Sequence, residues 1–169
     1  MIIAAPGQLD RSAPLNSRDT REKGMIVLVV LLLSLLIYRG IGLLGVDALG
    51  TWPAATRYAL ATMLVFTASA HFTRMKDDLV RMVPGWVPWP RAIVYFTGVC
   101  ELAGAVGLLV PSLRLSAGIA LIAFFILVFP ANVKAARSGV GLGGKSATPL
   151  WLRAPMQALF IALTWWSAI

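Results

Sequence analysis

The sequence predicts an all-α membrane protein, a polytopic helical bundle, on three observations. Of its 169 residues 59% are apolar and only 13% charged, against about a quarter charged in a typical soluble domain. The mean hydropathy is +0.81, so most of the surface must meet something other than water. The apolar residues fall into five runs whose boundaries are marked by Pro53, Pro90, Pro111 and Pro149, and proline suits helix starts and the breaks between helices.

Residues 1–24 are polar, mix both signs of charge and contain Pro6 and Pro14; they read as a disordered cytoplasmic tail. The run Met25–Tyr38 alone is too short to cross about 30 Å of hydrocarbon. Continued to Val46 it makes a helix of roughly 33 Å, with Arg39 near its far end and able to snorkel outward. A cleaved signal peptide is the competing reading; the long polar lead and the lack of a small-residue cleavage pattern oppose it. Four further spans are expected at about 54–74, 92–110, 115–136 and 150–168. The domain organisation is thus a tail at 1–24, an extra transmembrane helix at 25–46 and a four-helix membrane core at 54–168, with no internal repeat.

Orientation follows from the basic residues. Of the 15 Lys and Arg, only Arg39, Arg57 and Arg114 fall on one side of the five predicted spans. The N-terminal tail and the connections at 74–91 and 134–153 hold the rest. Positive residues concentrate on the cytoplasmic side, so the N-terminus is expected inside and the C-terminus outside a bacterial inner membrane. Tryptophan agrees: Trp52, Trp165 and Trp166 fall at the expected outer interface, and Trp86, Trp89 and Trp151 at the inner one, where an amphipathic indole is favoured.

The net charge of +8 and a pI near 10.6 would point to nucleic acid in a soluble chain. Here the charges sit between apolar runs and fit cytoplasmic loops and anionic lipid better, so the bilayer is the expected partner and nucleic acid is not. One cysteine, Cys100, and one histidine, His71, exclude a disulfide and argue against a zinc or haem centre. Gly139–Ser146 reads GVGLGGKS and matches the phosphate-loop pattern. That pattern has a mechanism only after a strand and with an acidic magnesium ligand. No strand pattern precedes it and no Asp or Glu follows Glu101, so it reads as a basic loop.

Ionisable groups at membrane depth are costly and point to a site. Glu101 falls about 15 Å along its helix from Arg91. Thr97, Gly98, Gly104 and Ala105 share its face, and small residues let a neighbouring helix approach. Glu101 therefore faces the bundle, either as a protonated interhelical lock or in binding and proton handling. His71, with Thr67 one turn before it, and Asn132 are expected at the cytoplasmic ends of their spans. The alternatives are a helix cap for His71 and an interhelical hydrogen bond for Asn132. Pro130 frees a carbonyl near Ile126, a candidate ligand contact. Helix arithmetic puts Glu101 about 10 Å deeper than His71, so the two are expected to need a bridging water or ligand. The stretch Met82–Pro90, with Trp86 and Trp89, is either an interfacial loop or a lid over this end.

The pieces SAHF at Ser69–Phe72, MVPGWVP at Met82–Pro88, TGVCELAGAVGLLVP at Thr97–Pro111, FPANV at Phe129–Val133 and LWLRAPMQALFI at Leu150–Ile161 together resemble the DoxX family of small bacterial membrane proteins over roughly residues 56–168. The resemblance implies a four-helix DoxX-like core with the first span added. It implies a redox-associated membrane subunit with a pocket for a quinone or similar amphiphile, and membrane or soluble redox proteins as partners. The candidate pocket residues are His71, Glu101, Asn132, Thr67 and Thr97, with Trp86, Trp89 and Pro130 as lid or interface. The chain has no cofactor motif of its own, so electrons would come from a partner, and oxidoreductase membership rests on the resemblance. The other expectations are a carrier for a small apolar or weakly acidic molecule, which at this length would require a homo-oligomer, and a scaffold with no small-molecule site.

Overall fold

The computed structural model describes residues 25–143 and 147–169. The tail expected at 1–24 and the Gly144–Ser146 end of the GVGLGGKS stretch lie outside them. Among the described residues there are six α-helices: α1 (Ile26–Leu43), α2 (Trp52–Phe72), α3 (Lys76–Met82), α4 (Pro90–Leu109), α5 (Arg114–Ser138) and α6 (Leu150–Ala168). A short 3-10 turn, Asp47–Leu49, joins α1 to α2. Each of the five expected apolar runs forms one long helix, and α3 is a sixth, short one inside the connection between the second and third runs.

Local chemistry sets the helix ends. Thr51 caps α2, its side chain accepting from Ala54 N at 3.3 Å, with proline in the first turn. Helix α4 opens on Pro90, where the missing N–H costs nothing. Helix α5 closes on Gly139 at φ 69°, a left-handed stop that glycine makes without strain. Among the described residues Trp89, just before Pro90, is the one non-glycine residue with positive φ, at 50°.

Helix α2 is central. It packs against α1, α4 and α6, while α5 closes the ring by packing against α4 and α6. The neighbouring helices run antiparallel. Thr67 meets Glu101 and His71 meets Thr97 between α2 and α4, and Asn132 meets Arg153 between α5 and α6. The core gathers Leu60, Met63 and Leu64 of α2, Leu108 of α4, Leu121 and Phe125 of α5, and Phe160 of α6.

Small residues make these contacts close. A Cβ on Gly98 would sit 2.6 Å from His71 Cβ, and one on Gly107 would sit 2.6 Å from Ala117 Cβ. Outside, the helices are apolar: Leu36 of α1 is 63% exposed and Leu127 of α5 77%. In α1 only Leu31 is buried. Among the described residues three helices, α1, α4 and α5, are long and apolar enough to cross a membrane. Helices α2 and α6 fall short because they carry the polar side chains that face the interior.

The α4–α5 contact gives a direct test. Gly107→Ala forces the helices apart and is expected to lower unfolding stability by about 1–3 kcal/mol, read as thermal denaturation in detergent micelles. Adding Ala117→Gly removes the clashing methyl and should restore most of the loss.

Candidate functional site

Two polar groups form where α2 meets α4 and where α5 meets α6. On the first, His71 Nδ1 lies 2.6 Å from Val94 O and 3.2 Å from Thr97 Oγ1. His71 Nε2 lies 3.5 Å from Glu101 Oε1. Thr67 Oγ1 donates to Glu101 Oε2 at 2.8 Å. The side chains of His71 and Glu101 are only 11% and 12% exposed.

This contact corrects the expectation that His71 and Glu101 lie too far apart in depth to touch. The Cα–Cβ bond of a helical residue tilts toward the helix N-terminus. In antiparallel α2 and α4 the two side chains therefore lean toward each other. Gly98 also lets the imidazole lie against the α4 backbone. His71 does not cap its own helix, because its Nδ1 is engaged by Val94 O of α4.

The geometry counts a proton. A carbonyl oxygen only accepts, so Nδ1 carries a hydrogen toward Val94. If Nε2 were also bare, its lone pair would face a carboxylate oxygen. A proton held between Nε2 and Oε1, on the carboxyl or on the ring, would satisfy this contact and leave the pair without net charge.

The second group is anchored on α6. Arg153 donates through Nε to Thr148 O at 3.0 Å and through Nη1 to Asn132 Oδ1 at 2.8 Å. Asn132 Nδ2 has only a 3.5 Å contact with Gln157 Oε1. The Gln157 amide donates to Phe125 O. Pro130 lies inside α5 and removes the donor that would serve Ile126 O; the bond from Gln157 goes to the neighbouring carbonyl, Phe125 O.

Both groups open onto one cavity of about 530 Å³. His71, Glu101, Asn132, Thr67, Thr97, Trp86 and Pro130 all line it, between walls that include Met63, Phe124, Phe125 and Phe160. Trp89 is not among the lining residues and is 80% exposed; its left-handed backbone turns it away as the chain enters α4. Trp86 stands at the mouth, 77% exposed.

The segment from α3 through Val87 covers this end. Lys134 Nζ donates to Val83 O, and the Asp78 carboxylate accepts from Gly143 N at 2.6 Å and from Arg81. The described part of the phosphate-loop match, Gly139–Gly143, is thus tied to α3 and follows a helix. Among the described residues no cluster of three His, Cys, Asp or Glu could hold a metal.

Arg153, Gln157 and Thr148 were missed as cavity residues. Gln157 is a polar amide inside an apolar run, the same signal that singled out Asn132. Arg153 lies four residues before it, on the same helix face, but was read only as a loop charge.

The fold and site define a class: an antiparallel helical bundle with a polar-ended internal cavity. The chain belongs to the family described as a domain of unknown function (DUF8561), which matches residues 60–168, from within α2 to the end of α6. This overturns the DoxX resemblance. The quoted pieces all lie in the matched region, but they are the small-residue seams and Pro/Trp loops that any tightly packed apolar bundle uses. No curated protein and no solved structure matches the chain.

The pairing at Glu101 is testable by stability alone. Glu101→Gln can still accept from Thr67 and donate to His71, and should stay near the wild type. Glu101→Leu strands His71 Nε2 in a buried site and should cost about 1–3 kcal/mol, read as thermal unfolding in micelles. Equal stability of the Leu variant would refute the pairing.

Proposed function

We propose that this chain is an integral membrane protein that binds an amphiphile, a molecule with an oxygen-bearing head and an apolar body, in the cavity between its helices. The observation that supports it is the cavity itself: about 530 Å³, within the usual range for ligand pockets, apolar along its walls and polar at two places. A quinone is one member of this class, since its carbonyls accept hydrogen bonds and its ring fits aromatic walls.

The membrane reading has several supports. The outer faces of α1, α4 and α5 are apolar and exposed. All six tryptophans are exposed, three near each end of the bundle. Helices α2 and α6, less apolar, turn polar groups inward and complete five spans. The distribution of Lys and Arg favours a cytoplasmic N-terminus in a cell membrane, which puts the cavity mouth at Trp86 on the cytoplasmic side.

Without the DoxX resemblance, a redox-associated subunit has only the polar groups of the cavity behind it. Binding and release of the amphiphile remain, and the Glu101–His71 pair can pass a proton internally without a change in net charge.

A short-chain benzoquinone, which quenches indole fluorescence, tests the cavity. Titrated into the purified full chain in micelles, it should quench Trp86 saturably, the difference from Trp86→Phe giving the signal. Ala131→Phe, which fills part of the cavity, should weaken the apparent affinity by about tenfold or more. Linear, unsaturable quenching in the wild type would sink the reading.

A further inference from the structure

Arg153 holds a charge that the cavity does not balance. Among the described residues, the charged or titratable side chains lining the cavity are His71, Glu101 and Arg153. His71 and Glu101 face each other, Nε2 to Oε1 at 3.5 Å, and each is the other's nearest ionisable partner. Arg153 stays cationic at any ordinary pH. Among the described residues the side-chain ion pairs are His71–Glu101, Arg81–Asp78 and Arg91–Asp77, so Arg153 has no carboxylate partner there. Lys134 does not line the cavity and donates to Val83 O.

The two bonds that Arg153 makes go to neutral acceptors, Thr148 O and Asn132 Oδ1. They fix the guanidinium plane through Nε and one N–H of Nη1. The second hydrogen of Nη1 and both of Nη2 have no partner among the described residues, and Asn132 Nδ2 has a single long contact. A guanidinium edge matches two oxygens of one head group. An uncompensated cation against apolar walls is costly, and a bound anion removes that cost.

Resting on the cavity reading above, we infer that the ligand carries a single negative charge on its head, a carboxylate or phosphate oxygen pair, seated on Arg153 and Asn132. Its apolar body runs inward past Phe125 and Phe160. Phe125 is seven residues from Asn132 along α5, about 10 Å deeper, and the body ends near the Glu101–His71 pair. The head chemistry is shared by a free single-chain acid and by an anionic phospholipid.

Brominated lipids, which quench tryptophan on contact, separate these sources. In one arm a brominated fatty acid at alkaline pH is compared with the fatty alcohol of equal length. In the other, brominated phosphatidylglycerol is compared with brominated phosphatidylcholine. The full chain is held in micelles and Trp86 is read as before. The anionic member should bind about tenfold or more tightly in at least one arm, and that arm identifies the source.

Arg153→Gln should erase the preference, and Arg153→Lys should keep part of it. Asn132→Asp gives Arg153 an internal carboxylate and should erase the preference while the protein stays folded, so the idea survives a misfolded Gln variant. No preference in either arm, or a preference unchanged by Asn132→Asp, overturns the anionic head. Saturable quenching by the neutral probes in that case leaves the cavity reading standing; no saturable quenching by any probe removes both.

Discussion

The approach of α4 to α2 at Gly98 is the constraint on which the rest of the site depends. A Cβ at that position would press into His71 Cβ and Cγ and meet the Phe72 ring. With only hydrogen there, the imidazole lies against the α4 backbone and reaches Val94 O. One turn further along α4, the Glu101 carboxylate falls beside Nε2. The small-residue seam continues through Gly104 and Gly107 toward α5. Helix α4 is therefore held close to two neighbours, and the space that a looser ring would spread among all the helices collects at one end, around Thr97 and Phe125.

That arrangement decides the charge of the interior. On the membrane reading, Glu101 alone at this depth would demand either a proton or a counter-charge. Beside a histidine whose other nitrogen is committed to a carbonyl, it has both in one contact, and Thr67 accounts for its second oxygen. On the α2–α4 side of the cavity the carboxylate thus faces an imidazole. On the α5–α6 side Arg153 is held by neutral acceptors. The imbalance comes from chain order as well as geometry: no Asp or Glu follows Glu101, so neither α5 nor α6 has an acidic residue to offer.

Much of this was legible in the sequence. Five apolar runs with proline at their borders became five long helices, and the polar residues singled out for being misplaced in apolar runs line one cavity. Depth was misread, because counting rise per residue treats side chains as points on the axis. His71 and Glu101 meet through the opposite lean of side chains on antiparallel helices, which no single helix reveals. The carbonyl that Pro130 frees is Ile126 O, but the neighbouring Phe125 O accepts from Gln157, 32 positions away, and such a partner depends on which helices are neighbours. The DoxX resemblance failed for a related reason. Its pieces mark close packing and interfacial turns, properties that unrelated apolar bundles share, and they say little about chemistry.

Helices α2 and α6 show why composition alone undercounts what a bundle can hold. Helix α2 has neighbours on three sides, so it can carry Thr56, Arg57, Thr62, Thr67 and His71 without presenting a polar stripe outward. Tyr38 of α1 hydrogen-bonds Thr62 at 2.9 Å, and Arg57 reaches Ser167 O of α6 at 2.7 Å. Each neighbour thus absorbs part of the polarity of α2. Helix α1 faces the opposite demand: it touches the bundle along one side only and is apolar nearly all round. On the membrane reading, α1 shields the flank of α2 from lipid, and a polar central helix becomes affordable only with that cover in place. Removing the cover would leave the Thr62 and Tyr58 face of α2 against hydrocarbon, with the Thr62 hydroxyl keeping only its bond to Tyr58 O of its own helix.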